Sequence, residues 1–141
     1  MLRGEFYHAL DAKGRVNFPS KIRDALGERF FLTRGLDGCL FVYSAEGWGA
    51  LEDKLRALPI SKSRDIQRFF LASVCEVEPD KQGRILIPTN LREYAGLDKD
   101  IVIIGVSERA EIWNSENWNA KLTAMTTDIK RMEETMDELG F

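Results

Sequence analysis

Short runs of apolar residues, each bounded by proline, glycine or a turn-forming polar residue, recur along most of the chain. Runs of this length and spacing predict β-strands. In the first half strands are expected at 6–10, 15–18, 30–33 and 40–43, and in the second half at 73–78, 84–87, 101–106 and 110–113. Because residues 101–104 are all apolar, that strand is expected to be buried on both faces.

Two short helices are predicted between the strands. The first follows Pro19, places Ile22, Ala25 and Leu26 on one face and ends at Gly27, and the second covers 89–95. Proline at a helix start and glycine just past its end are the usual boundary signals.

The middle of the chain predicts two longer helices. Trp48, Leu51, Leu55 and Leu58 recur at helical spacing, and Pro59 should end that helix. The next helix, capped by a serine at 61 or 63, is expected to carry Ile66, Phe69 and Phe70 on one face and to run to about residue 72.

The last stretch predicts an amphipathic helix over 122–139. Its apolar residues are spaced three or four apart: Leu122, Met125, Ile129, Met132, Met136 and Leu139. Such a stripe must be buried against its own body or against a neighbouring subunit, and we slightly favour the neighbouring subunit because the rest of the chain supplies its own core.

The chain contains an internal duplication. Residues 11–15 (Asp-Ala-Lys-Gly-Arg) recur as 80–84 (Asp-Lys-Gln-Gly-Arg), and each copy leads into a strand that stops at proline. With a shift of 69 residues the match continues to Gly27 and Gly96, and with a shift of 70 it places Gly35 opposite Gly105. A repeated unit has to be recognised before a fold is inferred.

The duplication extends into the helices that follow. Ser44 and Asn114, both good helix N-caps, coincide, as do Trp48 and Trp118. We therefore predict a mixed α+β fold with a mainly β core, divided into a first repeat at 5–51, a helical connector at 52–74, a second repeat at 75–120 and the C-terminal helix at 121–141.

The repeated turn is a candidate binding element. Aspartate can cap a tight turn, glycine accepts a positive φ, and each turn carries a lysine and an arginine at or beside its tip. Phosphate is the obvious counterpart of such cations. The alternative is structural, because Asp11 could pair with Arg15, and Asp80 with Arg84, simply to fix the turn.

Composition narrows the function classes. The 141 residues carry a net charge of −3, which argues against a protein that coats nucleic acid through overall charge. The charge is nevertheless uneven: residues 1–35 hold seven basic and four acidic side chains, whereas 100–141 hold four basic and nine acidic. A basic end could bind DNA with one face while the acidic remainder is repelled.

Other chemistry has little support. Cys39, Cys75 and the single histidine, His8, do not make a zinc-binding pattern, and we expect two buried free thiols in a reducing cytoplasm. No phosphate-binding loop or nucleophile motif is present, so an enzyme is not expected, nor are a cofactor, a metal or a small-molecule substrate. Neither a signal peptide nor a membrane span is indicated.

The chain resembles the MraZ family of bacterial transcriptional regulators. The resemblance rests on Arg3-Gly4, on residues 10–23 around the first turn, and on residues 80–92 around the second, and it covers nearly the whole chain from 2 to about 118. Two such turns at this spacing are specific, whereas one alone would be weak evidence.

The resemblance implies a fold and a function. The fold is two tandem AbrB-type swapped-hairpin units interlocked into one small β-barrel, with peripheral helices. The function is sequence-specific binding of double-stranded promoter DNA by a ring-like homo-oligomer at short direct repeats, in the cytoplasm at the nucleoid. Autoregulation of the cell-division and cell-wall gene cluster is then expected.

The residues that the family implies as DNA-facing fall on Arg3, Lys13, Arg15, Lys81 and Arg84. Arg15 is the first candidate, because arginine can bind guanine bidentately or clamp a phosphate, whereas lysine suits phosphate alone. Gln82 weakens the second turn relative to the first. The rival interpretation is an AbrB-like antitoxin-type module whose acidic tail binds a partner protein.

Overall fold

A computed structural model describes residues 1–141 as eight strands, six α-helices and one 3₁₀ turn. In chain order the elements are β1 (Leu2–Ala9), β2 (Arg15–Asn17), α1 (Ser20–Leu26), β3 (Phe30–Arg34), a 3₁₀ turn (Leu36–Gly38), β4 (Leu40–Ser44), α2 (Ala45–Ala57), α3 (Ile60–Leu71), β5 (Cys75–Val77), β6 (Arg84–Leu86), α4 (Thr89–Ala95), β7 (Asp100–Ser107), β8 (Arg109–Asn114), α5 (Ser115–Thr127) and α6 (Ile129–Glu138). The mixed α+β fold with a mainly β core is confirmed.

The strands form a six-stranded sheet in the order β1-β7-β8-β4-β3-β5 and a separate two-stranded ribbon, β2-β6. Each pair between β1 and β7, β4 and β8, β3 and β5, and β2 and β6 joins one half of the chain to the other, and all are antiparallel. The strand order therefore has a pseudo-twofold relation that exchanges the halves. Its axis passes between β4 and β8 and through the middle of the ribbon.

The predicted pairing of 6–10 with 15–18 as a hairpin is wrong. The turn at 11–15 forms, but β1 pairs with β7 and β2 with β6. A two-stranded hairpin of β1 with the three-residue β2 would bury little apolar surface. Pairing across the halves instead places Val16 opposite Ile85, and each of these side chains is only 1% exposed.

Apolar side chains fill both faces of the six-stranded sheet. On one face 18 buried residues join the sheet to the ribbon, α1 and α4, and on the other a smaller cluster including Phe41, Trp113 and Trp118 is packed by Phe70 and Leu122. Residues 101–104 are at most 6% exposed, so the strand predicted to be buried on both faces is confirmed.

The short helices occupy the predicted positions. Pro19 and Gly27 flank α1, and Pro88 and Gly96 flank α4. Ile22 and Leu26 are buried, but Ala25 is exposed, which corrects the predicted face of α1.

Local chemistry sets the starts of α2 and α5 but not of α3. Ser44 Oγ accepts from the Gly47 backbone N–H at 3.0 Å, and Asn114 Oδ1 accepts from the Asn117 N–H at 3.0 Å, so both predicted caps are confirmed. The predicted cap of α3 by a serine is wrong: Pro59 precedes the helix, and Ser63 lies inside it, donating to the Pro59 carbonyl at 2.7 Å.

The single C-terminal helix predicted over 122–139 is in fact two helices, α5 and α6. Asp128 separates them with φ −107° and ψ 50°. Thr126, Thr127 and Asp128 are consecutive poor helix formers whose side chains compete for backbone hydrogen bonds, which explains a break here. A helix pair thus follows each half, α2–α3 and α5–α6.

The predicted equivalence of Gly35 and Gly105 is also wrong. Arg34 pairs with Leu40, and Gly105 pairs with Ala110, so Gly105 occupies the position of Arg34. The turn between β7 and β8 is shorter than the turn between β3 and β4. Gly105 has no side chain because β1 crosses it so closely that a Cβ would collide with the backbone nitrogen of Arg3.

Both cysteines are free; Cys39 is buried, and Cys75 is half-buried. Burial raises the pKa of both thiols. None of the six helices is both long enough and apolar enough to cross a membrane.

Candidate nucleic-acid interface

The two repeated turns have nearly the same geometry. In the first, Asp11 Oδ1 accepts from the backbone N–H groups of Lys13 at 2.9 Å and Arg15 at 2.8 Å, and Asp11 Oδ2 accepts from Arg15 Nε at 2.8 Å. In the second, Asp80 accepts from the N–H groups of Gln82 and Arg84, both at 2.9 Å, and from Arg84 Nε at 3.0 Å.

These hydrogen bonds alter the aspartates. The hydrogen bond from the backbone N–H of the arginine four residues on is the largest cause that lowers the pKa of Asp11 and of Asp80; burial opposes it, and the arginine guanidinium and the second backbone N–H add to the lowering. Both carboxylates are therefore ionised at neutral pH and hold their turns closed.

Glycine is needed in each turn because Gly14 has φ +86° and Gly83 has φ +79°. The glycine carbonyls also extend the ribbon: Gly14 accepts from the Ile87 N–H at 2.9 Å, and Gly83 accepts from the Phe18 N–H at 3.1 Å. Each turn is thus tied to a strand from the other half of the chain.

The ribbon has an inner and an outer face. Val16 and Ile85 point into the core, so the side chains on either side of them point outward. The outer face carries Arg15 opposite Leu86 and Asn17 opposite Arg84. Directly opposed and diagonal positions share a face, which places the two arginines about 7–8 Å apart between Cα atoms.

The arginines have donors left after they fix the turns. The ion pairs to aspartate use Nε, and the Nη groups of Arg15 and Arg84 make no hydrogen bond within the chain. Their side chains are 32% and 30% exposed. The turn-fixing role is therefore present, and it leaves the outer edge of each guanidinium available to an acceptor.

Four of the five predicted DNA-facing residues lie in this region. Arg15 and Arg84 share the outer face of the ribbon, and Lys13 and Lys81 are exposed in the turns at its two ends. Arg3 lies elsewhere: it is exposed on β1 opposite Val106, six residues from Ala9, or about 20 Å along an extended strand.

Three residues near the site were not predicted. Asn17 adds an exposed amide to the outer face. Arg92 lies against Gly14, and Arg23 lies against Gly83, each reaching the turn of the other half. The sequence signal for these arginines was the duplication itself, which aligns Ile22-Arg23 with Leu91-Arg92.

Comparison with known proteins agrees with this duplicated architecture. The family model described as "MraZ protein, putative antitoxin-like" matches residues 1–69 and again residues 70–139. The chain belongs to the MraZ family. The resemblance noted in the sequence is thereby confirmed, and each match includes one of the two turns.

Three relatives named transcriptional regulator MraZ align with nearly the whole chain. Those of Caldicellulosiruptor bescii and Acetivibrio thermocellus are each 54% identical over 142 residues, and that of Clostridium beijerinckii is 51% identical, in each case over 99% of both chains. The MraZ similarity therefore includes the turns, the ribbon and the C-terminal helices.

Electrostatics of the interface favour an anionic ligand. Around the ribbon the guanidinium and ammonium groups outnumber the two turn aspartates, which are already engaged by their own turns. No group of histidine, cysteine, aspartate and glutamate side chains in the structure is suited to hold a metal ion. His8 lies half-buried on β1, and burial lowers its pKa.

Proposed function

We propose that this protein is a sequence-specific DNA-binding transcriptional regulator that binds double-stranded DNA with the outer face of its ribbon and the two adjoining turns. The observation that carries the proposal is that Arg15 and Arg84 share the outer face of the ribbon at diagonal positions, each bound at Nε by its own turn aspartate and each with Nη groups that have no acceptor in the chain. Full-length relatives named transcriptional regulators support the same function.

The ribbon fits the geometry of the major groove, which admits a two-stranded β-ribbon. Arg15 and Arg84 can each bind the O6 and N7 atoms of guanine, because both are planar and held in position at Nε. Lys13 and Lys81, at the ends of the ribbon, are placed for the phosphates on either side. Arg3 is too distant to join the same contact, and it could act only on a separate stretch of DNA.

The DNA element is expected to be directional. The two halves of the ribbon are related by a pseudo-twofold axis, but their outer side chains differ: Asn17 corresponds to Leu86, and Lys13 corresponds to Gln82. Identical halves would favour a palindrome, whereas these halves favour a short non-palindromic element. Copies of such an element in direct repeat suit a protein that presents many identical ribbons.

We further propose that the chain assembles into a ring-like homo-oligomer whose ribbons bind successive direct repeats. Each ribbon would contribute weakly, and high effective concentration would give the assembly its affinity. The exposed stripe of α6, with Ile129, Met132 and Met136 between 41% and 50% exposed, is a candidate subunit contact. In each subunit the ribbon and the sheet would complete the small interlocked barrel.

The target we propose is the promoter of the protein's own cell-division and cell-wall gene cluster, reached in the cytoplasm at the nucleoid. No cofactor or small-molecule substrate is part of this proposal. The same α6 stripe supports the antitoxin-type alternative, in which a partner protein rather than a second copy covers it.

Selection from a random pool of DNA duplexes with the full chain tests the proposal. We expect enrichment of a short guanine-containing element that is not palindromic and that recurs in direct repeat. Enrichment of no sequence would contradict sequence-specific binding, and enrichment of a palindrome would contradict the directional recognition by the ribbon.

Native mass spectrometry tests the assembly separately. We expect a closed oligomer for the full chain. A variant ending at Thr127 should contain fewer subunits per assembly, because it lacks α6. A monomeric full chain that binds a single protein partner through α6 would instead support the antitoxin-type alternative.

A further inference from the structure

Each turn is covered by an arginine from the opposite half of the chain. A Cβ built on Gly14 would lie 2.5 Å from Cζ of Arg92, and a Cβ built on Gly83 would lie 2.7 Å from Cζ of Arg23. A Cβ at either position would displace the guanidinium, so both guanidinium groups rest directly on the backbone of the turn glycines. The arrangement occurs twice, as the pseudo-twofold relation requires.

Internal hydrogen bonds hold these arginines in place without using all their donors. Arg23 Nε donates to the Phe18 carbonyl at 2.9 Å, and no Nη group of Arg23 has an acceptor in the chain. Arg92 Nη2 donates to Thr89 Oγ1 at 2.8 Å, while its Nε is buried without a partner and its Nη1 makes no hydrogen bond. Arg92 Nε is the one buried side-chain nitrogen or oxygen in the structure without a hydrogen-bond partner, so the unpaired Nη groups of both arginines are open to solvent and available to an anion.

Each arginine adds a positive charge to a turn that already carries a lysine and an arginine at or beside its tip. Arg92 lies beside the turn that carries Lys13 and Arg15, and Arg23 lies beside the turn that carries Lys81 and Arg84. The turn aspartates are occupied by Arg15 and Arg84, so they do not neutralise the added guanidinium groups. Each end of the ribbon thus combines cations from both halves around one turn.

We propose that Arg92 and Arg23 are phosphate-binding residues, and that each DNA-binding turn is a composite site built from both repeats. The ligand is the phosphodiester backbone of double-stranded DNA. This inference rests on the proposed function, and it adds to it that neither repeat alone contains a complete site. The base-facing role stays with Arg15 and Arg84, because Arg23 and Arg92 lie beside the turns and not on the outer face of the ribbon.

The test uses the full chain and five variants: Arg92→Ala, Arg23→Ala, Arg92→Lys, Arg15→Ala as the reference for loss of the proposed base contact and, as the matched control, Arg68→Ala. Arg68 lies on α3 and pairs with Asp65 at the surface, remote from the ribbon in the fold. Fluorescence anisotropy measures binding to a selected duplex and to a scrambled duplex at several salt concentrations. Thermal denaturation reports folding in parallel.

We expect Arg92→Ala and Arg23→Ala each to weaken binding to both duplexes by roughly tenfold, which leaves the preference for the selected duplex unchanged. The plot of log K against log salt should become shallower by about 0.9 for each phosphate that the variant no longer neutralises. Arg92→Lys keeps the charge and should recover most of the affinity and the slope. Arg68→Ala should bind as the wild type does.

Two results would overturn the inference while leaving the proposed function intact. One is wild-type affinity and slope in Arg92→Ala and Arg23→Ala when Arg15→Ala is impaired. The other is a decrease in affinity that follows a decrease in folded protein and is not restored by Arg92→Lys. Failure of the wild-type chain to bind any duplex would instead overturn the proposed function together with this inference.

Discussion

Neighbouring substitutions on β2 should separate DNA binding from folding. Arg15 points outward from the ribbon, and Val16, the next residue, is 1% exposed and points into the main core. Arg15→Ala removes a guanidinium whose Nη groups have no acceptor in the chain, whereas Val16→Ala removes two methyl groups from a packed interior. The two variants differ by one position along the strand and should have opposite phenotypes.

The magnitudes follow from burial. Removing two buried methyl groups costs about 1.6 kcal/mol in transfer free energy at ~0.8 kcal/mol each, and an added cavity term brings the loss to about 2 kcal/mol. For a chain of this size that lowers Tm by roughly 4–8 °C. The Arg15–Asp11 pair is about one-third exposed on both sides and screened by solvent, so Arg15→Ala should lower Tm by less.

For DNA binding, Arg15→Ala should have the larger effect and Val16→Ala the smaller. A bidentate arginine–guanine contact contributes about 1–3 kcal/mol, so Arg15→Ala should weaken each engaged ribbon by roughly 5- to 150-fold. Val16→Ala should bind normally at temperatures where it is folded. Differential scanning fluorimetry and anisotropy on a selected duplex measure the two effects. Unchanged affinity in Arg15→Ala, with a Tm decrease equal to that of Val16→Ala, would show that Arg15 serves the turn alone.

Three further outcomes are expected. Hydrogen bonds lower the pKa of Asp11 and Asp80 below the ordinary 3.8, so the stability that these carboxylates contribute is present above that value and is lost as the pH falls through the lower folded pKa. Replacing both aspartates by asparagine should therefore flatten the dependence of Tm on pH below about pH 4. An unaltered pH dependence would contradict this role of the two carboxylates. Gly105→Ala should lower Tm, because the backbone of β1 lies where the new Cβ would be. The control Gly49→Ala, in an open position on α2, should raise the free energy of unfolding by about 0.4–1 kcal/mol. Equal effects of the two substitutions would refute the close approach of β1 to Gly105. Truncation after Thr127 should leave the far-UV circular dichroism signal of the remaining residues intact, because α6 has no buried residue, and unfolding of the truncated chain would show that α6 packs on its own subunit.

Local chemistry made several boundaries predictable. Pro19, Gly27, Ser44 and Asn114 each act through the backbone of their immediate neighbours, and the structure places them as the sequence analysis expected. The aspartate–glycine turns were predictable for the same reason. Their repetition also located the candidate site at both ends of the ribbon.

Strand partners were not predictable from the pattern. Alternation shows which side chains of β1 and β2 face inward but not which strand they pair with, and the adjacent strand was the wrong choice for both. For the same reason the positions of Arg23 and Arg92 were not predictable, since Arg23 contacts Gly83 and Arg92 contacts Gly14, each in a turn at least 57 residues away along the chain. The break at Asp128 was missed because the apolar spacing continues across it even though helix propensity falls.

The central claim is that the ribbon reads DNA sequence through Arg15 and Arg84. The most direct measurement is fluorescence anisotropy of a duplex from upstream of the protein's own gene and of a scrambled duplex, titrated at several salt concentrations with the wild type and with an Arg15→Ala/Arg84→Ala double variant. We predict that the wild type prefers the native duplex, that its affinity falls as salt rises, and that the folded double variant loses the preference. Equal wild-type affinity for the two duplexes, or an unchanged preference in the double variant, would contradict the account.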